Sequence, residues 1–274
     1  MVPYSKYRMD LLGSKAISEY MRKNDLVILP VGCFEMHGPN IPVACDTFID
    51  WGFSLLLAEE WKCLVFPPVY YTYPGATADW PGTVNISIGA TTAYLKEVVN
   101  AIYKNGFKKI VLVASHGPNS FMLMSLIRDY FQETGRVVAH FNPYDKLFPD
   151  AECKKSLGYS AGEDIIVLAG MRILGLDSSY DPRNKKDLPM SYPKNNYGKL
   201  NKMAVALPWL MDKDFQHTGI RSCLKSSDAD KAVAIVKKAV KTYRGFPKDF
   251  AKYQKEIAAQ VRKKPWAKPS IWSR

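Results

Sequence analysis

Histidine is scarce, with four in 274 residues, and the five cysteines (Cys33, Cys45, Cys63, Cys153, Cys223) form no CxxC pair. An odd number of widely spaced cysteines argues against a disulfide framework and against a cysteine-based zinc site. It predicts reduced thiols in a cytoplasmic protein. No uninterrupted apolar run nears the ~18 residues of a membrane span, so no membrane partner is expected. The opening MVPYSKYRMDLLGSKAISEYMRK scatters its charges and lacks a continuous apolar core, which predicts no secretory leader. Internal repeats and low-complexity tracts are also missing. Acidic residues are outnumbered, 26 against 38 Lys and Arg, for a net charge of +12. The excess is local: residues 225–274 hold 14 Lys/Arg and only 4 Asp/Glu. Trp266 and Trp272 add a little of the basic–aromatic interleaving that nucleic-acid modules show, but no such module is visible, and none is expected. The basic stretch reads as a solvated helical face or a contact between subunits.

The remaining composition is that of a folded enzyme-sized chain. At 47% hydrophobic and 23% charged it can bury a core without staples and is not disordered. Short apolar runs alternate with amphipathic stretches over the first two-thirds. Strands are expected at Asp25–Gly32, Cys63–Tyr71, Lys108–Ser115 and Arg136–Pro143, the second cut short by Pro67 and Pro68. Helical faces are expected at Ile49, Phe53, Leu56 and Leu57, and at Leu95, Val98, Val99 and Ile102 with Asn105-Gly106 as the stop. A third combines Phe121, Met124 and Arg128 with Leu123, Leu126, Ile127 and Tyr130. Strand–helix–strand order predicts a mostly parallel sheet covered on both faces by helices, in one α/β domain spanning 1–274 with a basic helical segment from about 225. Residues 177–202, rich in Pro, Asn, Ser and Lys, read as a long exposed excursion.

Two of the four histidines, His37 and His116, each directly follow a predicted strand, in VILPVGCFEMHGPN and IVLVASHGPN. Ligands of open parallel sheets bind at the carboxyl ends of the strands, so both are aimed at one crevice. Glu35 lies two residues before His37 and shares its side of an extended segment; Asp46 follows closely. Two imidazoles and two carboxylates converging there form the donor set of a divalent metal site. By the same alternation Cys45, next to Asp46, points into the core, and Cys33 also packs. His140, inside a strand, reads as a core residue.

The segment LPVGCFEMHGPNIPVACDTFID resembles the metal-binding segment of the creatininase (creatinine amidohydrolase) family. WPGTVNIS, GFKKIVLVASHGPNS, YSAGEDIIVLAG and TGIRSCLKSSDADKAVAIVKKAV resemble its later blocks, in the same order, from about residue 25 to 240. The resemblance implies a three-layer α/β sandwich, often a homohexamer, acting on a small-molecule substrate with two divalent metals per chain (Zn, Mn or Fe). The implied activity is metal-dependent hydrolysis of a small cyclic amide or of a ring ketone of the dehydro-inosose type. Glu35 and His116 would hold one metal, His37 the second, and Asp46 would bridge them. Where the family has its histidine before Ala-Gly this chain has Ser160, and Ile165 stands at its last carboxylate. Glu163 is then the expected replacement ligand, with Asp164 behind it. The proton donor is open among Glu163, His217 and Tyr159. Ala114, Ser115 and Pro118 also depart from the family's second histidine block. The loop Tyr70–Trp80 could wall a small polar ring or an oligomer contact. Asp79, Trp80, Thr83 and Ser160 are the expected substrate-binding groups. A family member without catalysis, serving as a metal-binding or assembly protein, is the other reading of these departures.

Overall fold

The computed structural model describes residues 4–37, 41–144, 163–179, 197–203, 207–208, 210 and 226–263. Four parallel strands form one sheet in the order β2-β1-β3-β4: β1 Leu26–Pro30, β2 Leu64–Val65, β3 Lys109–Val113 and β4 Ala139–Phe141. In register, Ile28 faces Val65 and Val111, and Leu112 faces His140. Pro67 and Pro68 lack the N–H that a longer β2 would need, and pairing resumes only as a single bridge between Val31 and Val69.

Alternation along β1 and β3 sends side chains into two cores. Leu26, Ile28, Val111 and Val113 enter one; Val27, Leu29, Ile110 and Leu112 enter the other. Such strands, buried on both faces, account for their continuous apolar runs. The second core is closed by α3 (Ile88–Lys104) and α4 (Gly117–Thr134), with the short α1 (Ser14–Met21) at its margin. On the first face lies α2 (Cys45–Trp61), packed on β1, β2 and β3 and also on α5 (Glu163–Leu174) and α6 (Ala229–Lys241). Apolar residues surround α2 on nearly every side, as a helix enclosed on all sides requires. The final helix, α7 (Phe246–Lys263), completes that layer through Phe250. The α/β sandwich expected from the sequence is the one observed.

The third helical face is corrected. Met122, Leu123, Leu126 and Tyr130 form the buried side of α4, whereas Phe121 and Met124 are 76% and 62% exposed. Three- and four-residue spacing links Phe121, Met124 and Arg128, but on the helix face that turns away from the sheet. Gly106 does end α3, with φ at +119°, a value that favours glycine. His140 is half-buried on β4, and the excursion over 177–202 lies mostly outside the described residues. Among the described residues no helix is long and apolar enough to cross a membrane.

Candidate metal centre

The carboxyl ends of β1 and β3 are tied to the starts of α2 and α4 by buried polar contacts. A Cβ on Gly32 would lie 2.2 Å from Thr47 Oγ1 and 2.5 Å from Thr47 Cα, so only glycine lets the chain after β1 touch the first turn of α2. Thr47 Oγ1 donates to the Cys33 carbonyl (3.2 Å), and Thr72 Oγ1 to the Gly32 carbonyl (2.8 Å). From α4, Asn119 Nδ2 reaches the carbonyls of Val31 and Gly32 at 3.2 and 2.9 Å. From α2, Asp50 Oδ1 accepts the Ser115 N–H at 2.7 Å. All these side chains are buried, where such bonds are costly to break.

Glu35, His37, Asp46 and His116 meet inside this frame, and each is buried. His37 Nδ1 sits 3.1 Å from the Glu35 carbonyl, and His116 Nε2 sits 3.0 Å from the Tyr73 carbonyl. Each ring spends one N–H on a backbone oxygen, which fixes the tautomer and frees the other nitrogen for the interior. His37 Nε2 faces Asp46 Oδ1 at 3.6 Å, Glu35 Oε1 at 3.7 Å and Glu163 Oε1 at 3.9 Å. His116 Nδ1 faces Glu35 Oε1 at 3.1 Å and Asp46 Oδ2 at 3.2 Å. Asp46 thus turns one oxygen to each histidine. Its Oδ2 is fully buried and meets only His116 Nδ1; with that ring neutral and Nε2 carrying the proton, the oxygen has no donor, an orphan that a cation would satisfy. Two imidazole lone pairs and three carboxylates in a buried volume fit a divalent metal of the zinc or manganese kind.

The electrostatics are those of a cation site. Burial alone would keep His37 neutral, but the nearby Cys45 and Asp46 raise its pKa well above the ordinary histidine value. His116 is raised against burial in the same way by Asp46 and Glu35. Asp46, which burial would push up, is instead held far below the usual carboxylate range by His37 and His116. Asp46 also sits in the first turn of α2, where the helix dipole favours a negative charge. Asp50, one turn further on, is pushed well up by burial and then by the charge of Asp46.

Several positions differ from the sequence expectation. Cys45 is buried, but its sulfur does not simply pack away from Asp46: it forms a ligand-competent group with His37 and Glu163. Cys33 likewise groups with Asp46 and His116. Glu163 does reach the centre, where its Oε1 accepts a hydrogen bond from the Tyr144 hydroxyl, while Ile165 turns into the core. Thr83 Oγ1 accepts the Met36 N–H at 3.0 Å, steadying the segment that carries His37. Asp79 is exposed and Trp80 half-buried. Ser160, Tyr159 and His217 lie outside the described residues. Sequence reading missed Thr77, whose hydroxyl donates to Glu35 Oε2, along with Tyr144 and Asp50. A cavity of about 850 Å³ runs along α4, with Tyr73, Gly117, Pro118, Phe121 and Leu207 among its walls, and none of the five metal-centre side chains lines it.

Comparison with known proteins gives a family. The model of the creatininase family, described as creatinine amidohydrolase, matches residues 10–165. Over 104 residues the chain is 38% identical to a 3-dehydro-scyllo-inosose hydrolase of Thermotoga maritima, covering 38% of this chain and 33% of that protein. Over 114 residues it is 32% identical to a mycofactocin precursor peptide peptidase of Mycolicibacterium smegmatis, covering 39% and 46%. The chain therefore spans less than half the length of these curated relatives. A candidate creatinine amidohydrolase from Bacteroides fragilis superposes with a TM-score of 0.70 at 21% identity, covering 88% of this chain and 95% of that one. A manganese creatininase does so with a TM-score of 0.65 at 17% identity, covering 87% and 97%. At those identities the structural likeness speaks for the fold alone.

Proposed function

Because this chain belongs to the creatininase family, we propose that it is a metal-dependent hydrolase attacking a carbonyl of a small ring substrate, a cyclic amide or a ring ketone. The observation that carries the reading is the division of Asp46, with Oδ1 toward His37 Nε2 and Oδ2 toward His116 Nδ1. That arrangement would let Asp46 offer one oxygen to each of two divalent ions. Glu35 and His116 would hold one, His37 and Glu163 the other. Zinc and manganese both agree with these donors. When bound, such ions lower the pKa of a water and polarise the carbonyl it attacks.

The protein's own groups supply the rest. Glu163 Oε1, near His37 and hydrogen-bonded by Tyr144, is the carboxylate to take the proton of the attacking water and return it to the departing atom. Thr77 orients Glu35, and the backbone carbonyls of Glu35 and Tyr73 orient the two imidazoles. The ring-ketone alternative draws on the similarity to the inosose hydrolase. Asp79, Trp80, Thr83 and Ser160 stay in the proposal as substrate-binding groups and His217 as an alternative proton donor. The same reading takes 1–274 as one domain of a homo-oligomer, a hexamer by family resemblance. It makes the protein cytoplasmic, as the free thiols of Cys33, Cys45 and Cys63 would suit.

Elemental analysis of the purified protein tests this directly, together with hydrolysis assays on creatinine and on a dehydro-inosose. Two ions per chain are expected. His37→Ala and His116→Ala should each lower that content, and Glu163→Gln should leave one ion and abolish hydrolysis. Unchanged metal content and rate in all three variants would overturn the assignment.

A further inference from the structure

The sulfur atoms of Cys33 and Cys45 have no part in the mechanism above, yet both lie at the centre. In the first donor group, one ligand atom each from Cys33, Asp46 and His116 lies within 4.8 Å of the others; in the second, the same holds for His37, Cys45 and Glu163. One group holds His116, toward which Asp46 turns Oδ2, and the other holds His37, toward which it turns Oδ1. Both cysteines are fully buried, and both are free thiols. Cys33 is fixed by the Thr47 hydrogen bond to its carbonyl and by the close approach at Gly32. Cys45 occupies the first helical position of α2, directly before Asp46.

We propose that Cys33 and Cys45 are metal ligands, one thiolate to each position of a dinuclear centre, and that the centre therefore prefers zinc-class ions to manganese or magnesium. The inference rests on the metal-centre reading given above and adds the sulfur donors to it. Ligation forms one metal–sulfur bond per thiol and sends the thiol proton to solvent, with no change of oxidation state. Position one then has Glu35, Asp46, His116 and Cys33; position two has His37, Asp46, Glu163 and Cys45. Four protein donors plus a shared water give five-coordination, which zinc accommodates during catalysis. Manganese and magnesium favour oxygen donors, whereas thiolate favours zinc.

Cobalt(II) loading of the whole protein separates the possibilities. The wild type should take up two cobalt ions per chain and show a near-ultraviolet sulfur-to-cobalt charge-transfer band beside the visible ligand-field bands. Cys33→Ser and Cys45→Ser should each remove about half of that band, and the double variant all of it, while Cys63→Ser leaves it intact. Zinc-over-manganese preference in a competition assay should fall roughly tenfold or more in the double variant, at least the scale seen when a metal ligand's supporting partner is lost. Two bound cobalt ions with no charge-transfer band in the wild type would overturn the thiolate ligands and leave the carboxylate–histidine centre standing. No cobalt uptake by the wild type would overturn the metal reading itself. The wild-type spectrum decides between these even where a variant fails to fold.

Discussion

At the scale of single residues the centre is a balance of buried charges. Without metal, Asp46 and Glu35 are compensated by His37 and His116 in their protonated forms. The raised histidine pKa values contribute stability that is full at acidic pH and is lost as pH rises through them. The depressed Asp46 value contributes stability that is full above the ordinary carboxylate range and is lost as pH falls through that range toward the depressed value. Chelator-stripped protein is therefore expected to lose thermal stability from neutral pH upward, when neutral imidazoles leave the carboxylates unpaired. Metal-loaded protein should hold its melting temperature over the same range, since the cation replaces both protons. Calorimetry at stepped pH checks this; parallel curves for the two forms would contradict it. Glu35, His37 and His116 were legible in the sequence because each follows a strand by a short step, and Asp46 because it comes soon after His37 in the chain. Cys33 and Cys45 are buried as read, but their nearness to the donors was not legible from two-residue alternation. Cys33 lies past the strand end, and Cys45 and Asp46 lie on a helix, where neighbours are turned by about 100° rather than 180°. Thr77 and Tyr144 carry no local signal, since only tertiary folding brings them to the carboxylates.

At the scale of elements, the centre depends on how two helices cross. A Cβ on Gly170 of α5 would lie 2.2 Å from the Phe48 carbonyl oxygen of α2, and one on Gly52 would lie 2.6 Å from Gly170 Cα. The backbones therefore touch. Gly52 is seven residues past Cys45, and Gly170 seven past Glu163, so equal helical lengths separate the contact from the two donor-bearing ends. Gly170→Ala should wedge α5 outward, destabilise the fold by about 1–3 kcal/mol and weaken the position that relies on Glu163. A lowered melting temperature with metal content falling from two ions toward one is the expected result. Full metal content after the substitution would show that the crossing does not set Glu163. The parallel sheet was readable from the alternation of apolar runs with helices; the order of its strands was not. The outward turn of Phe121 and Met124 was not, because helical spacing fixes which residues share a face but not which way that face looks.

At the scale of the whole molecule, the two described helices of the basic C-terminal segment, α6 and α7, pack into the body. Val236 and Val240 of α6 are buried in the same core as α2 and α5. Beyond it, Phe246 stacks on Trp61 with ring centroids 4.9 Å apart and meets Phe141 edge-on at 4.7 Å. Trp61 Nε1 donates to the Tyr243 carbonyl, and Gln254 reaches the carbonyls of Lys108 and Val137 from α7. Lysines on the outer face stay in solvent, which reconciles the charge excess with the packing. Truncation after Tyr243 removes Phe246 and Phe250 and uncovers Trp61 and Phe141. It should cost roughly 3 kcal/mol or more, at 1.5–3 kcal/mol for each buried aromatic. Light scattering and a denaturant titration would read the change in mass and stability together. An unaltered transition midpoint and mass would show that α7 is dispensable.

The spacing of the donors along the chain carries one more consequence. Cys33, Glu35, His37, Cys45 and Asp46 fall within fourteen consecutive residues, whereas His116 and Glu163 arrive from far downstream. Closing the short span costs little chain entropy, and recruiting the two distant donors adds only a logarithmic increment, provided that the intervening sheet and helices are in place. The near donors can gather on their own; the far ones gather only when the fold does. Ion release from a variant altered far from the centre would then register loosened long-range packing, with every ligand intact.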